Sequence, residues 1–391
     1  MQTDSSAELL DAIVALQPVL KRCSREAEQL RQLPAEVVEA LRQAGFYRMF
    51  RPRELGGYGL DPVTEFQVAE ALARIDSAAA WNVQVCNAGE LYGGWFTESA
   101  TQEVFGNVDS IVAGAFNPRR RADAEAGGYR LNGVTPFTSN CHGADWVMGT
   151  ADPYDDGVAR VDADNNPVML LTLVPASECT IVDNWDAMGL AGTGSHDVFI
   201  DDVFVPANRA VVFSPTPQPS GAYDNALCRM AIWVTAGCHA AVALGIAQAA
   251  IDDLIAMGSR VPAYADAGIS SRSRVQLRLA QAEVQLASAR AYFHQTYAQA
   301  FEDAGQSGSL TLGQKGRCQA ASTHVVMAAA SAVDLVHSCV GTAGVRRTHF
   351  FEKYFRDAHV VTQHAFVTEA RLEAVGQILF GKEPDWPFFA F

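Results

Sequence analysis

The segment GGYRLNGVTPFTSNCHGADWV (Gly127 to Val147) marks the point where the pattern of this chain changes from helical to extended. Its first half alternates polar and apolar residues and contains Asn132-Gly133, a dipeptide that favours a tight turn between strands. Short apolar runs that end in proline follow at VMLLTLVP (Val168 to Pro175) and HDVFIDDVFVP (His196 to Pro206). These patterns predict a sheet, folded as a small barrel or sandwich, in the middle of the chain.

Helical patterns flank this central block on both sides. LPAEVVEALRQAG (Leu33 to Gly45) has a proline near its start and a glycine at its end, and helical spacing returns over Val63 to Ile75 and again around Ala79 to Phe96. After a proline-rich linker (Ser214 to Gly221), four long helices separated by glycines predict a four-helix bundle. We therefore expect a mostly α protein with a central β-domain, divided into an N-terminal helical domain (1–108), a β-domain (109–213) and a C-terminal four-helix bundle (223–391).

The composition of the 391 residues excludes several classes of protein. With 44 acidic and 29 basic residues the formal charge is −15, which disfavours nucleic acid or an anionic membrane as a partner. Eight cysteines without CxxC spacing indicate neither a disulfide scaffold nor a zinc site, and we expect no metal. The N-terminus lacks the basic region of a secretory signal, so we expect a cytoplasmic protein. The apolar run Ala231 to Ile251 contains His239 and Gln248 and is interpreted as a buried bundle helix.

Common catalytic motifs are missing from the sequence. No GxGxxG or GxxxxGK[ST] loop follows a strand, and there is no HExxH and no GxSxG. GTGSH (Gly192 to His196) precedes a strand, so we do not expect a nucleophilic serine there. His359 and His364 lie five residues apart on a predicted helix and would face roughly 140° away from each other, which makes a poor metal pair. His324 and His337 are interpreted as ordinary helix residues.

The order of these blocks, together with four motifs, resembles the acyl-CoA dehydrogenase superfamily over essentially the whole chain. The resemblance implies the fold of that superfamily, with an N-terminal helical domain, a small β-barrel or sandwich and a C-terminal four-helix bundle. The motifs are LPAEVVEALRQAGFYRMFRPRELGGYGLD (Leu33 to Asp61), GGYRLNGVTPFTSNCHGADWV (Gly127 to Val147), GLAGTGSHDVFIDDVFVP (Gly189 to Pro206) and FRDAHVVTQHAF (Phe355 to Phe366).

Departures from the dehydrogenase pattern indicate one branch of the superfamily. Its dehydrogenases carry their base as a glutamate eight residues after the aspartate of an RD pair, and here that position is Ala365. His364, seven residues after Asp357, instead matches the histidine of the two-component flavin-dependent monooxygenases. PFTSNCHGADW (Pro136 to Trp146) is also similar to the flavin-side motif of that branch. The branch includes oxygenase components that act on 4-hydroxyphenylacetate, dibenzothiophene and indole-type compounds.

This resemblance implies a cofactor, partners and a reaction. A separate NAD(P)H-dependent reductase would supply reduced flavin (FMNH2 or FADH2), and with O2 a C4a-hydroperoxyflavin would transfer oxygen to a small aromatic or heteroaromatic substrate. His364 would be the catalytic acid–base, and Ser139 would hydrogen-bond near N5 of the flavin. Relatives assemble as tetramers, so a homotetramer is expected. The remaining implied flavin contacts are the backbone of Phe137, Thr138, Ser139 and Asn140 around the ring, and Gly341 and Thr342, at a helix start, on the phosphate.

The substrate side of the site follows less directly from the sequence. Relatives often carry a second active-site histidine at a position that aligns with Gly89 of this chain. Trp81, Tyr92 and Trp95 are candidate substrate-pocket residues, although such aromatic residues also form ordinary cores. Two alternatives stay open, namely an acyl-CoA dehydrogenase or oxidase with a displaced base, and a non-catalytic relative. Neither the substrate nor the choice between FMN and FAD follows from these motifs.

Overall fold

The computed structural model describes residues 2–215, 219, 221–263 and 265–391, so positions 216–218 and 220 of the predicted linker lie outside the described residues. Helices occupy both ends of the chain and strands occupy its middle. The helices are α1 (Gln2–Leu30), α2 (Ala35–Gln43), α3 (Pro62–Ala73), α4 (Ser77–Glu90), α5 (Glu98–Phe105), α6 (Ala226–Arg229), α7 (Ala231–Ala256), α8 (Ser273–Ser307), α9 (Leu312–Val340), α10 (Phe351–Val361) and α11 (Arg371–Leu379). The strands are β1 (Val112–Glu125), β2 (Gly128–Thr138), β3 (Trp146–Asp155), β4 (Val158–Ala159), β5 (Leu170–Pro175), β6 (Thr180–Val182), β7 (His196–Pro206) and β8 (Ala210–Val212).

Local capping explains where the N-terminal helices begin. The side chain of Asp61 accepts a hydrogen bond from the backbone N–H of Thr64 at the start of α3, and Asp76 does the same for Ala79 in α4. Each carboxylate satisfies an N–H group that has no partner inside its helix, and its charge is favourable at that end. The two helical segments predicted at Val63 to Ile75 and around Ala79 to Phe96 correspond to α3 and α4, although α4 ends at Glu90 and a 3₁₀ turn follows it.

The eight strands form one mixed sheet in the order β6-β7-β2-β1-β3-β5-β8, with β4 attached to β3. β1 and β3 are parallel, and every other pair is antiparallel. Residues from strands that are distant in this order share one apolar cluster, so the sheet curls around a core of its own. Members of that core are Ala122, Leu131, Ala151, Leu170, Val174, Ile200, Val203, Val205 and Ala210.

The Asn132-Gly133 dipeptide does not form the turn that was predicted from it. Both residues lie inside β2, where Asn132 pairs with Arg121 and the register against β7 shifts between Leu131 and Gly133. Gly133 has φ +141°, a conformation that side chains rarely adopt, and it accommodates the irregularity. The turn between β1 and β2 lies instead at Gly127 (φ +85°). The alternation of polar and apolar residues in this segment therefore corresponds to one long strand with a bulge.

The C-terminal helices pack as a bundle in which α9 contacts α7, α8, α10 and α11. Both α7 and α9 are long and apolar enough to span a bilayer by length and composition, but 94% of the most apolar window of α7 is buried inside the protein. The fourth predicted helix, expected from Arg356 onward, is α10 and stops at Val361. His364 therefore lies in the turn after that helix, which corrects its predicted helical position.

Two glycines set the depth of α7 within the protein. A Cβ atom on Gly237 would lie 2.3 Å from a ring carbon of Phe66, and one on Gly245 would lie 2.4 Å from Cβ of Ala73. Both distances are shorter than real carbon contacts, so neither position accepts a side chain without displacing α3. The backbone of α7 therefore lies against α3 as closely as two helices can approach.

Asp357 joins the three parts of the chain. Its Oδ2 accepts hydrogen bonds from Lys353 Nζ (2.6 Å) and Ser77 Oγ (2.5 Å), and its Oδ1 accepts one from the backbone N–H of Leu190 (2.7 Å). Burial is the largest single influence and would raise the pKa of this carboxyl, but the charge of Lys353 and the hydrogen bonds from Lys353, Ser77 and Leu190 together outweigh it, so the pKa is lowered. Because Ser77 begins α4 and Leu190 precedes β7, one carboxylate holds α4, the β-domain and α10 together.

We expect Asp357→Leu to destabilise the fold by about 3–5 kcal/mol, because Lys353 would stay buried without its counter-ion. The double variant Lys353→Met/Asp357→Leu removes both charges and should recover most of that loss. Urea denaturation followed by circular dichroism measures the two differences. Equal losses in the single and the double variant would show that the ion pair has no such role.

Candidate active site

A cavity of about 390 Å³ lies where the N-terminal helices, the sheet and the bundle meet, and its size suits a small organic ligand. Most of its wall is apolar, and the wall comes from all three parts of the chain. It is lined by Trp81, Val85, Ala88, Gly89 and Tyr92 from α4 and the turn after it; by Gly114, Ala115, Phe116, Asn117, Pro136, Phe137, Ser139, Met148, Trp185, Leu190, Thr193 and Ser195 from strands and loops; and by Thr235, His239, Val360, Gln363, His364, Ala365 and Phe366 from the bundle.

The two ends of the cavity differ in exposure. Phe137, 67% exposed, meets Trp185 edge-on at a centroid distance of 6.2 Å, and these two rings flank the mouth. Phe137 also has φ +56°, which strains the backbone of a residue with a bulky side chain. The opposite end is buried, with Tyr92 1% and His239 3% exposed. A ligand that enters past this pair of aromatic rings thus reaches a buried, largely apolar interior.

The segment predicted to surround the flavin ring is divided between two pockets. Phe137 and Ser139 line the cavity. Thr138 is buried behind it and donates a hydrogen bond to the carbonyl of Thr135. Asn140 contacts Asn82 and lines a separate, more polar pocket of about 410 Å³. β2 ends at Thr138, and Phe137 and Asn140 both have positive φ (56° and 61°), so the chain turns within this segment and its side chains reach different pockets.

A chain of hydroxyl groups fixes the orientation of Ser139. Thr193 Oγ1 donates to the carbonyl of Leu190 (2.8 Å), so Ser195 must donate to Thr193 (2.7 Å) and Ser139 to Ser195 (2.7 Å). Trp81 Nε1 donates to Ser139 Oγ (3.1 Å). A hydroxyl has one hydrogen and two lone pairs, so Ser139 keeps one free lone pair. It can therefore accept one further hydrogen bond from a ligand.

Two histidines meet inside the cavity, although sequence reasoning identified only one of them. The ring of His239, from α7, lies 3.9 Å from that of His364 between centroids, at 83°. Trp81 stacks on His239 at 4.9 Å and meets His364 edge-on at 5.6 Å. Gly89, which aligns with the second histidine of relatives, does line the cavity. This chain thus has a second histidine in the same space, supplied by a different helix.

Burial keeps both imidazoles neutral. It lowers the pKa of His364 to about 4, and it lowers the pKa of His239 well below the usual value, with His364 as a smaller second cause. The backbone N–H of Phe366 donates to His364 Nδ1 over a long 3.4 Å, so the proton of His364 belongs on Nε2. His239 Nδ1 is buried and has no hydrogen-bond partner. At neutral pH each ring offers one donor and one acceptor nitrogen.

Besides Thr138 and Asn140, three further predicted site residues lie outside the cavity wall. Trp95 packs behind Tyr92 (5.5 Å) and donates to the carbonyl of Ser214 (2.8 Å), so it supports the wall without lining it. Gly341 and Thr342 were expected at a helix start; instead Gly341 ends α9, with φ +57°, and only a four-residue 3₁₀ turn follows. The favourable dipole of a long helix N-terminus is therefore not available to a phosphate at this point.

The other histidines from the sequence have ordinary surroundings. His359 Nε2 lies 2.9 Å from Asp334 at the surface, and His337 Nε2 lies 3.0 Å from the carbonyl of Gly344. His324 is exposed. The side chains of His359 and His364 consequently have different surroundings, in keeping with the interpretation that they are not a metal pair.

Sequence reasoning missed His239, Trp185, Thr193 and Ser195 as cavity residues. One signal was available for His239: it is the only residue with a titratable ring in the run Ala231 to Ile251, which is apolar on every side. A helix that is buried all round has no solvent face for such a ring, so the ring had to meet a cavity or a partner. Ser195 was weighed as a nucleophile, whereas its hydroxyl orients Ser139.

The chain matches family models at both ends. Residues 14–102 match the acyl-CoA dehydrogenase N-terminal domain, and residues 237–369 match the acyl-CoA dehydrogenase C-terminal domain. Together these segments cover more than half of the chain and include α4, α7 and α10, which build the cavity. The protein belongs to the acyl-CoA dehydrogenase superfamily.

Its relatives within that superfamily are monooxygenases. The chain is 29% identical to the indole-3-acetate monooxygenase of Pseudomonas putida over 92% of this chain and 90% of that protein. It is 29% identical to the FADH2-dependent resorcinol hydroxylase oxygenase component of a Rhizobium species, covering 98% and 96%. XiaF from a Streptomyces species, solved with FADH2 and glycerol, superposes with a TM-score of 0.89 at 26% identity, covering 99% and 98%.

The lowered pKa of His239 predicts a pH dependence of stability. Below about pH 6.5 the unfolded chain binds a proton on His239 that the folded protein excludes, so stability falls as the pH falls. We expect His239→Phe to reduce this slope by up to about 1.4 kcal/mol per pH unit between pH 6.5 and 5.

Denaturant titrations at pH 7.5, 6.5, 5.5 and 5.0 measure the slope. The matched control is His324→Phe, at an exposed position, which should leave the slope unchanged. Parallel pH profiles for the wild type and His239→Phe would contradict the neutral, buried state of this ring.

Proposed function

We propose that the protein is the oxygenase component of a two-component flavin-dependent monooxygenase. It takes up reduced flavin, FMNH2 or FADH2, from a separate NAD(P)H-dependent reductase, and with O2 it hydroxylates a phenol- or indole-type aromatic molecule. The observation that carries this proposal is the cavity itself, in which Ser139 and His364 face one dry space while Ala365 occupies the position of the dehydrogenase base. Its relatives have names of the same kind, and XiaF was solved with FADH2.

The residues at the mouth fit a reduced flavin. The free lone pair of Ser139 suits the N–H group that reduced flavin carries at N5, whereas oxidised flavin has no hydrogen there. Phe137 and Trp185 offer aromatic surface at the exposed end of the cavity. Reduced flavin, when bound, would supply the two electrons that activate O2, so that one oxygen atom of O2 is inserted into the substrate and the other leaves as water. The hydroxyl chain through Ser195 and Thr193 is already ordered, so Ser139 needs no reorientation for this contact.

The protein itself keeps water out of the site and controls the protonation of the transferred oxygen. Apolar walls around the histidines exclude water, which would otherwise release the activated oxygen unproductively as hydrogen peroxide. His364 Nε2 carries a proton and lies on the cavity wall, so it can donate a hydrogen bond to the transferred oxygen and fix its protonation state. Among the described residues that line the cavity no carboxylate is present, so a dehydrogenase-type base is not available.

We propose a homotetramer as the assembly. Five exposed residues on α8 follow heptad spacing at i, i+3, i+7, i+10 and i+14, on the face opposite its buried side, and two of them, Leu277 and Val284, are 58% and 68% exposed. Such spacing is typical of a seam between two helices, and a second copy of α8 fits it. This α8 row consists of Leu277, Ala280, Val284, Ala287 and Ala291.

Assembly also gives Gly341 and Thr342 a role. They lie at the end of α9 and not on the cavity wall of their own chain, so we propose that they contact the flavin phosphate of a neighbouring copy.

All eight cysteines are free thiols, which is compatible with the reducing cytoplasm that we propose as the location of the protein.

We expect His364→Asn to lower product formation by about 10²–10⁴-fold, the usual contribution of a positioned acid–base group. Flavin should still bind and react with O2, so hydrogen peroxide should rise as hydroxylated product falls. The assay mixes the protein with chemically reduced flavin and O2, screens phenols and indoles, and quantifies product and peroxide in the same sample.

His359→Asn is the matched control, because it makes the same change on an exposed histidine paired with Asp334. It should leave the ratio of product to peroxide unchanged. Near-normal coupling in His364→Asn would remove this residue from the mechanism. If the wild type forms no product from any phenol or indole, the proposed function itself is wrong.

For the assembly, we expect a light-scattering mass of about four times the 42.0 kDa chain for the wild type. Leu277→Glu/Val284→Glu places charges in the α8 row and should yield smaller species. The control Gln281→Glu/Gln299→Glu adds the same charge at exposed positions of α8 that project to the side of the row, and it should keep the wild-type mass. A monomeric wild type at micromolar concentration would contradict the tetramer.

A further inference from the structure

The buried end of the cavity contains polar groups but no charged ones. Among the described residues that line the cavity none is Asp, Glu, Lys or Arg. The two histidines are the only titratable nitrogen groups there, and burial keeps both of them neutral. A carboxylate that entered this end would lose its water without gaining a positive partner, which is strongly unfavourable. The net charge of the chain, −15, adds a general repulsion.

Two cationic side chains close to residues of the buried end do not line the cavity. Lys353 is buried against Asp357 and Ser77, behind Leu190. The guanidinium of Arg371 stacks over Trp386 at 4.7 Å, and Trp386 in turn contacts the cavity residue Phe366 (5.3 Å). Neither cation reaches the interior in the described structure, so neither is available to a carboxylate bound there.

One polar group at this end lacks a partner. Thr235 donates its hydroxyl hydrogen to the carbonyl of Ala231, so the hydroxyl of Tyr92 must donate to Thr235 (2.9 Å), and both hydrogens are used. The His239 ring makes no hydrogen bond through either nitrogen, and its Nδ1 is buried beyond the reach of a ligand. Because His239 lines the cavity, a ligand can pair with it only at Nε2, which accepts a hydrogen bond when the ring proton is on Nδ1.

We propose that the substrate is an uncharged aromatic molecule with one polar ring N–H or O–H group, and that His239 is the residue that hydrogen-bonds this group. This inference rests on the proposed function and narrows it, because phenols and indoles that carry a carboxylate are excluded. The substrate class proposed here differs from that of relatives named for an acid, such as indole-3-acetate monooxygenase. It agrees with that of the resorcinol hydroxylase, whose named substrate is uncharged. His239 then determines substrate specificity. His364, which lies beside the exposed Gln363, keeps the role of hydrogen-bonding the transferred oxygen.

Matched pairs of compounds test the substrate class. Indole is compared with indole-3-acetate, phenol with 4-hydroxyphenylacetate, and resorcinol with 3,5-dihydroxybenzoate. Binding is measured by isothermal calorimetry on the protein without flavin and again with oxidised flavin, and product is measured with reduced flavin and O2. We expect each carboxylated member to bind at least 100-fold more weakly than its uncharged partner and to give correspondingly less product.

A second comparison tests His239. Benzofuran has the shape of indole with oxygen in place of N–H, so it lacks the donor. The wild type should bind indole roughly 5–10-fold more tightly than benzofuran, the effect of one hydrogen bond. His239→Leu should abolish that preference, whereas His239→Gln, which keeps a donor and an acceptor, should retain part of it. The exposed control His324→Gln should leave the preference intact. A purely structural His239 would weaken both ligands equally.

The outcomes separate this inference from the proposed function. Equal or tighter binding of the carboxylated members would overturn the substrate class, and it would leave the proposed function standing if those acids were hydroxylated. An unchanged indole preference in His239→Leu would remove His239 as the recognition residue. If no compound is hydroxylated but the uncharged members bind selectively, the proposed function fails and the selectivity of the cavity is retained.

Discussion

The arrangement of the site depends on one buried carboxylate, Asp357. It is neutralised by Lys353 on its own helix, and its remaining lone pairs hold the first residue of α4 and a backbone N–H of the loop before β7. Trp81 lies one helical turn beyond Ser77, and His364 follows Asp357 by seven residues. The two rings can meet only if these segments are fixed relative to one another. A buried charge, which is costly to remove from water, thus fixes the three parts of the chain relative to one another.

The parts of the site that the sequence could predict are those carried by local motifs. Ser139, Phe137 and His364 lie within short segments whose spacing is set by covalent connection, and all three line the cavity. His239 could not be located in this way. α7 is apolar on every side, so its periodicity does not reveal which face meets which neighbour, and its contact with His364 joins positions 125 residues apart. Such contacts are decided by helix packing, which a single sequence does not specify.

The prediction that α10 continues through His364 was also wrong, for a related reason. No glycine or proline separates Phe355 from Phe366, so the pattern predicts an uninterrupted helix. After Val361, however, the hydrogen bonds shorten to three-residue turns, from Gln363 to Val360 and from His364 to Val361. The tighter turn carries His364 inward, towards Trp81. The end of α10 is determined by what its last residues pack against. The order of strands in the sheet could not be predicted from local patterns for the same reason, because it pairs strands that are distant in the sequence.

The close contact of α7 with α3 has a consequence for how such a protein could change its substrate. Gly237 and Gly245 leave no room for α7 to shift, so His239 is delivered at a fixed depth whatever ring lies in front of it. Elsewhere in the cavity wall, α4 has small residues at Ala88 and Gly89, and a Cβ on Gly89 would meet the nearest atom only at 3.4 Å. Natural divergence, or a library built in the laboratory, can therefore remodel the α4 part of the wall while the position of α7 stays fixed.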